Sequence, residues 1–191
     1  ADAMRQRCDE VYVAGLSMGA VLALRLAAER PGWVRGLGLY GTTFRHDGWA
    51  IPWTGRLAFL LPLVCRLGFG RDRSFMEPPP YGIKDQRIRD RIAGTMLSGD
   101  SAAAGLPGNP WPALAEFIRL VRDVRPRLPS VRAPCLAVHA SNDDVASLSN
   151  VAIVRRRLGA PLRELLLHDS YHMVTVDRER QALIAASSGF F

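Results

Sequence analysis

The sequence holds one lysine, Lys84, among 25 basic residues, although its net charge is +7. The arginines are scattered, and only Arg155-Arg156-Arg157 forms a run, in a segment that reads as a helix between two strands. A solvated helix face accounts for that run, so the charge implies no nucleic-acid partner. Cysteine is scarce too: Cys8, Cys65 and Cys135 have neither metal-ligand nor Cys-x-x-Cys spacing. An odd, unclustered set excludes a disulfide framework and fits a reducing compartment, so a cytoplasmic location is expected. No apolar run is long enough to span a bilayer. There is no Gly-rich phosphate loop and no His-Glu-x-x-His, and Gly36-Leu37-Gly38 lies inside a strand-like run. No cofactor and no metal are implied. What is plentiful is apolar residue, 48% of 191 positions, which excludes a disordered chain and suffices for one cored domain.

The strongest local signal is Gly15-Leu16-Ser17-Met18-Gly19. It follows the apolar run Val11-Tyr12-Val13-Ala14 and opens a helix-like run from Ala20 to Glu29. Strand, sharp turn and helix form the context of a Gly-x-Ser-x-Gly nucleophile elbow, which strains the serine and lifts its hydroxyl clear of the sheet. Small flanking residues let strand and helix backbones approach. Ser17 is therefore the candidate nucleophile.

A serine nucleophile needs a base and a group to orient that base. Four histidines are available: His46, His139, His168 and His172. His139 lies inside the apolar run Cys135 to Ala140 and reads as a core residue, while His168 ends the run Leu165-Leu166-Leu167. His172 sits in a polar turn after the last strand, Asp169-Ser170-Tyr171-His172, where a side chain can reach a serine on another strand end. It is the first candidate for the base, with His46 second. Asp143 and Asp144 follow the strand ending at Ala140, and either is placed to orient the base.

The order Ser17, acid, His172 is that of the α/β-hydrolases. The chain resembles that superfamily, and within it the bacterial carboxylesterases and monoacylglycerol-lipase-like enzymes. The resemblance rests on Val13 to Gly19, on Arg132-Ala133-Pro134-Cys135-Leu136-Ala137-Val138, on Ala140-Ser141-Asn142-Asp143, and on the stretch from Asp169 to Asp177. It is weak from Phe44 to Val131. The family commonly has a small residue three positions before the acid, which selects Asp143 over Asp144. It commonly has Gly before the histidine, where this chain has Tyr171. The family also has further strands before the nucleophile strand and a His-Gly loop that contributes to the oxyanion hole. Here about ten residues precede that strand, and no His-Gly pair occurs. The resemblance thus implies the C-terminal part of a longer hydrolase, incomplete alone, with the strand Val11 to Ala14 left as an unpaired edge.

The remaining pattern fits that fold. Strands are predicted at Val11–Ala14, Val34–Tyr40, Val131–Ala140 and Arg163–Leu167, and helices at Ser17–Arg30, Leu148–Leu158 and Asp177 to about Ala186. Alternation of this kind implies a parallel sheet covered on both faces. Three parts are expected: core at 1–48, a helical cap inserted at 49–130, and core again at 131–191. Within the cap, Ile51 to Val64 is strongly apolar and could wall an acyl site. A charged helix is expected at Asp85–Met96, then a Gly/Pro/Ala stretch from Gly99 to Pro112. An amphipathic helix follows at Ala113–Val124, with Leu114, Phe117, Ile118 and Val121 on one face.

The expected chemistry is ester hydrolysis through an acyl-enzyme. Ser17 would attack, His172 would take its proton, Asp143 would hold the imidazole, and the Met18 N–H would supply one oxyanion donor. The resemblance implies a small acyl or monoacylglycerol-type ester as substrate. The same triad also serves acyl transfer, thioester hydrolysis or cofactor-free haloperoxidation, and a non-catalytic hydrolase-like module is the alternative of another class. Oligomeric state is not legible.

Overall fold

A computed structural model describes residues 2–97 and 108–191. Most of the Gly99–Pro112 stretch therefore lies outside the described residues. After a short helix, α1 (Asp2–Arg5), the chain forms β1 (Tyr12–Leu16), α2 (Met18–Glu29) and β2 (Gly36–Tyr40). It then makes a 3-10 helix (Trp53–Leu60), α3 (Leu61–Arg66), β3 (Ser74–Met76), α4 (Gln86–Leu97), β4 (Gly108–Pro110) and α5 (Trp111–Arg127). A 3-10 turn (Leu128–Ser130) leads to β5 (Cys135–Ala140), α6 (Ser149–Arg157), β6 (Leu162–Leu167) and α7 (Arg180–Ser188).

Four strands form one parallel sheet in the order β1-β2-β5-β6. The inner strands β2 and β5 are buried at every position, as their unbroken apolar runs require. Alternation along β5 sends Cys135 and Ala137 to one face and Leu136, Val138 and Ala140 to the other. The first face packs on α2, α5 and α6 through Val21, Leu24, Phe117, Val124 and Ile153; the second packs on α7 through Leu183. Helix α2 buries Ala20, Val21, Ala23, Leu24 and Ala27, a helical stripe. β1 is the edge strand among the described residues and is half-exposed, with Tyr12 40% exposed.

Several elements are shorter than the sequence pattern suggests. The strand predicted from Val131 begins at Cys135 because Pro134 has no N–H for the ladder; its carbonyl still accepts from Leu37 N at 2.9 Å. The last helix, predicted from Asp177, begins at Arg180. The Asp177 carboxylate instead accepts the N–H groups of Tyr171, Lys84 and Asp85 at 2.7, 2.8 and 2.9 Å. Between β2 and β5 the helices are joined by an antiparallel ribbon, β3 with β4, that no sequence signal announced. The long helix α5 runs from this segment into the core, where Phe117, Val121 and Val124 are buried.

Candidate active site

All the candidate groups lie at the carboxyl ends of the parallel strands, where open α/β sheets bind ligands. Ser17 stands between β1 and α2 with φ 56° and ψ −116°, a strained conformation for a non-glycine residue. Its N–H donates to Tyr40 O at 2.8 Å, tying the turn to β2. A Cβ at Gly15 would lie 2.2 Å from the backbone of Gly19, so position 15 must be glycine. The same test at Gly19 meets nothing within 4 Å among the described residues, so the close approach constrains only the first glycine.

His172 reaches this turn from the loop after β6. Its Nε2 lies 2.9 Å from Ser17 Oγ, and its Nδ1 lies 2.9 and 3.1 Å from the two carboxylate oxygens of Asp143. Asp143 Oδ1 also accepts Val145 N and Ala146 N at 2.8 and 2.7 Å, so the loop after β5 fixes the carboxylate. Burial alone would push His172 down. The hydrogen bond and charge of Asp143, with the charges of Asp144 and Glu77, outweigh it and raise His172 above its ordinary value.

Asp144 points elsewhere. Its oxygens accept Gly82 N at 2.9 Å and His172 N at 3.3 Å, joining the segment before α4 to the histidine loop. Burial raises its carboxyl above the usual range, as does the Asp143 charge, while those two N–H groups act in the opposite sense. The same junction holds Met173 N on Gly82 O at 2.8 Å. Tyr171, where the resembled family has Gly, donates its N–H to Asp177 and packs edge-on against Trp49.

The other histidines are placed differently. His46 lies by Phe117 on the wall of a cavity that Ser17 and His172 also line; burial, and then the neighbouring His172 charge, push it down to about 4. His139 is buried in β5 and donates from Nε2 to Ala146 O at 2.7 Å, with Asp143 Oδ2 at 3.4 Å. His168 is exposed, one residue past the end of β6. Met18 is the first residue of α2, so its N–H belongs to the helix turn whose donors have no intrahelical acceptor. Thr43 lay unnoticed in the sequence: its hydroxyl is 3.1 Å from Ser17 Oγ and donates to Gly41 O at 3.0 Å. Its position just past an apolar strand, on the edge shared with Ser17, was the available signal.

Ser17 and His172 open onto a cavity of about 630 Å³. Its wall is mostly apolar and comes from the segment between β2 and β5: Ile51, Leu57, Leu60, Leu61, Val64, Phe75, Leu114, Phe117 and Ile118. Among the described residues, no group of three or more His, Cys, Asp or Glu side chains is placed to hold a metal ion. No helix among them is long and apolar enough to cross a membrane.

Comparison with known proteins agrees with this architecture. The family described as serine aminopeptidase, S33, matches residues 2–179, and the chain belongs to that family of α/β hydrolases. It is similar to the thermostable monoacylglycerol lipase of Bacillus sp. (strain H-257), 24% identical over 189 residues. That match covers 98% of this chain and 65% of the relative, so the chain spans about two thirds of the relative's length. Among solved structures it resembles one from the metagenome-derived lipolytic enzymes LipS and LipT, with a TM-score of 0.73, 23% identity, and coverage of 99% of this chain and 67% of that one. The Paleococcus ferrophilus monoacylglycerol lipase also has a TM-score of 0.73, at 13% identity, covering 98% of this chain and 70% of that one. The α/β-hydrolase fold expected from the sequence is the fold found.

Proposed function

We propose that the protein is a serine hydrolase of carboxylic esters, with Ser17 as nucleophile, His172 as general base and Asp143 as the acid that orients it. The observation that carries this reading is the continuous bonding from Ser17 Oγ through His172 to Asp143, at 2.9 Å on each side, beneath an apolar cavity. Ser17 Oγ attacks the ester carbonyl while His172 Nε2 takes its proton. The alcohol leaves with that proton, and water, activated by the same imidazole, then releases the acid from Ser17. Asp143 keeps the Nδ1–H tautomer and stabilises the imidazolium. The N–H of Met18 donates to the developing oxyanion.

The segment 49–130 acts as a cap between the core parts 1–48 and 131–191, and its apolar side chains hold the acyl chain. Ligand sites of this size are mostly apolar, with a few polar groups at the reacting end. The lipase relatives favour an acyl or monoacylglycerol-type ester over a polar one. Three free cysteines fit a reducing, cytoplasmic setting. The test is hydrolysis of p-nitrophenyl esters of graded chain length and of a monoacylglycerol, with Ser17→Ala as control. Turnover that survives Ser17→Ala, or a preference for acetyl over every longer chain, would contradict the reading.

A further inference from the structure

Thr43 is fully buried, three residues past the end of β2 and in contact with the site just described. Its Oγ1 lies 3.1 Å from Ser17 Oγ and 3.0 Å from Gly41 O. A carbonyl can only accept, so Gly41 O and Ser17 Oγ compete for the one Thr43 hydrogen, and while Gly41 holds it the Thr43 oxygen offers Ser17 a lone pair. Ser17 has one hydroxyl hydrogen and two acceptors for it: His172 Nε2 at 2.9 Å and Thr43 Oγ1. Which acceptor is used depends on His172. When the imidazole is neutral, with its hydrogen on Nδ1 toward Asp143, Nε2 takes the Ser17 hydrogen. When it is protonated, Nε2–H points at Ser17 Oγ, and the serine hydrogen must turn away.

We infer that Thr43 is a positioning residue for Ser17, accepting the serine hydrogen when His172 is protonated and donating to Ser17 Oγ when it is neutral. This inference rests on the proposed role of Ser17 and deepens it. In the protonated state the donors run in one direction, from His172 to Ser17 to Thr43 to the Gly41 carbonyl. In such a chain each bond polarises the next. In the neutral state that arrangement would set two lone pairs against each other at 3.1 Å, so the Thr43 hydrogen swings from Gly41 O to Ser17 Oγ. A donor then faces Oγ as the serine proton leaves for His172. Thr43 therefore favours the imidazolium, and removing its hydroxyl lowers the pH at which His172 titrates. The other groups facing His172 are the carboxylates of Asp143, Asp144 and Glu77 and the rings of His46 and His139. None of these touches Thr43 Oγ1, so the substitution leaves them in place.

The test is an NMR pH titration of the His172 imidazole in wild type, Thr43→Val, Thr43→Ser and both Thr43 variants on a Ser17→Ala background, with the resonance assigned through His172→Gln. Valine keeps the shape of threonine and removes the hydroxyl; Thr43→Ala carries the same expectation if Val folds poorly. One hydrogen bond of ordinary strength corresponds to a downward shift of about 0.4–1 pH unit in Thr43→Val. Thr43→Ser should titrate with wild type. On the Ser17→Ala background Thr43→Val should cause no shift, since the effect passes through the serine hydroxyl. An unchanged midpoint in Thr43→Val, or an equal shift with and without Ser17, would overturn the inference. Turnover of p-nitrophenyl butyrate is read on the same samples. A null cycle with Ser17-dependent turnover would remove the Thr43 role alone, and an intact cycle with Ser17-independent turnover would remove the hydrolase reading alone.

Discussion

The loops after β1, β2, β5 and β6 hold buried polar side chains that are bonded to one another, whereas the stretch Trp53–Met76 turns large apolar side chains to solvent. In the loops, Asp143 accepts two backbone N–H groups besides the imidazole, and Asp144 and Asp177 accept N–H groups from both the segment between β2 and β5 and the histidine loop. In the other stretch, Trp53, Leu67 and Phe69 are 73, 64 and 67% exposed. On the proposed function, the difference reflects two tasks. Proton transfer depends on direction, and direction comes from hydrogen bonds that are costly to leave unmade. An apolar wall needs shape alone, and many sequences supply it. Substitutions should therefore be severe in the loops and mild on the exposed side of the stretch Trp53–Met76.

The largest effect is expected at Gly15. A valine there would drive its Cβ into the Gly19 backbone, so Gly15→Val should abolish cooperative unfolding in a thermal melt. Survival of the melt would show that the elbow can open. Next comes the pair of aspartates. Asp143→Asn should lower ester turnover by about 10⁴-fold, because an amide favours the wrong imidazole tautomer. It should also move the acid limb of the pH profile to lower pH. In the proposed mechanism the base works only when neutral, so turnover should rise with pH through the His172 titration, and the Asp143 hydrogen bond and charge are the main causes that hold that titration above its ordinary value. Asp144 is not an idle neighbour, as its two backbone bonds show, but it does not touch the ring. Asp144→Asn should cost about 10-fold in turnover through loss of one charge-assisted bond. The reverse ranking, measured on p-nitrophenyl butyrate, would place the orienting acid at the wrong residue.

Smaller effects separate the cavity-lining and exposed sides of the segment between β2 and β5. Ile118→Trp would fill the cavity and should shift the chain-length preference toward shorter esters, measured as kcat/KM across acyl lengths. Leu67→Ser, on the exposed side, should change stability by less than about 0.5 kcal/mol. A large change at Leu67 would mean that the outer face is covered by something. The smallest effect is chemical. Burial pushes the Cys135 thiol up to about 12, so iodoacetamide at neutral pH should modify exposed Cys8 in the native protein and spare Cys135 until it unfolds.

The same contrast governs what the sequence made legible. The elbow, the buried strands and the loop positions of Asp143 and His172 are local signals: a turn pentapeptide, apolar runs, and polar residues just after them. The parallel sheet follows from their alternation. Thr43 was invisible because a threonine after a strand is commonplace, and only its distance to Ser17 gives it meaning. Asp177 read as a helix start because acidic residues are common there, yet its carboxylate is taken by the N–H groups of a segment some 90 residues away in sequence. The β3–β4 ribbon escaped because three-residue strands have no periodicity to read. The length of α5 was underestimated because Pro112 falls in its first turn, where proline is tolerated.

The central claim is that Ser17 is a nucleophile activated by His172. The most direct measurement is active-site labelling with a fluorophosphonate, followed by peptide mass spectrometry, on the protein and on its Ser17→Ala and His172→Gln variants. The account predicts one adduct, on Ser17, absent in Ser17→Ala and slowed by orders of magnitude in His172→Gln. Labelling at another residue, or labelling of Ser17 at an undiminished rate without His172, would contradict it.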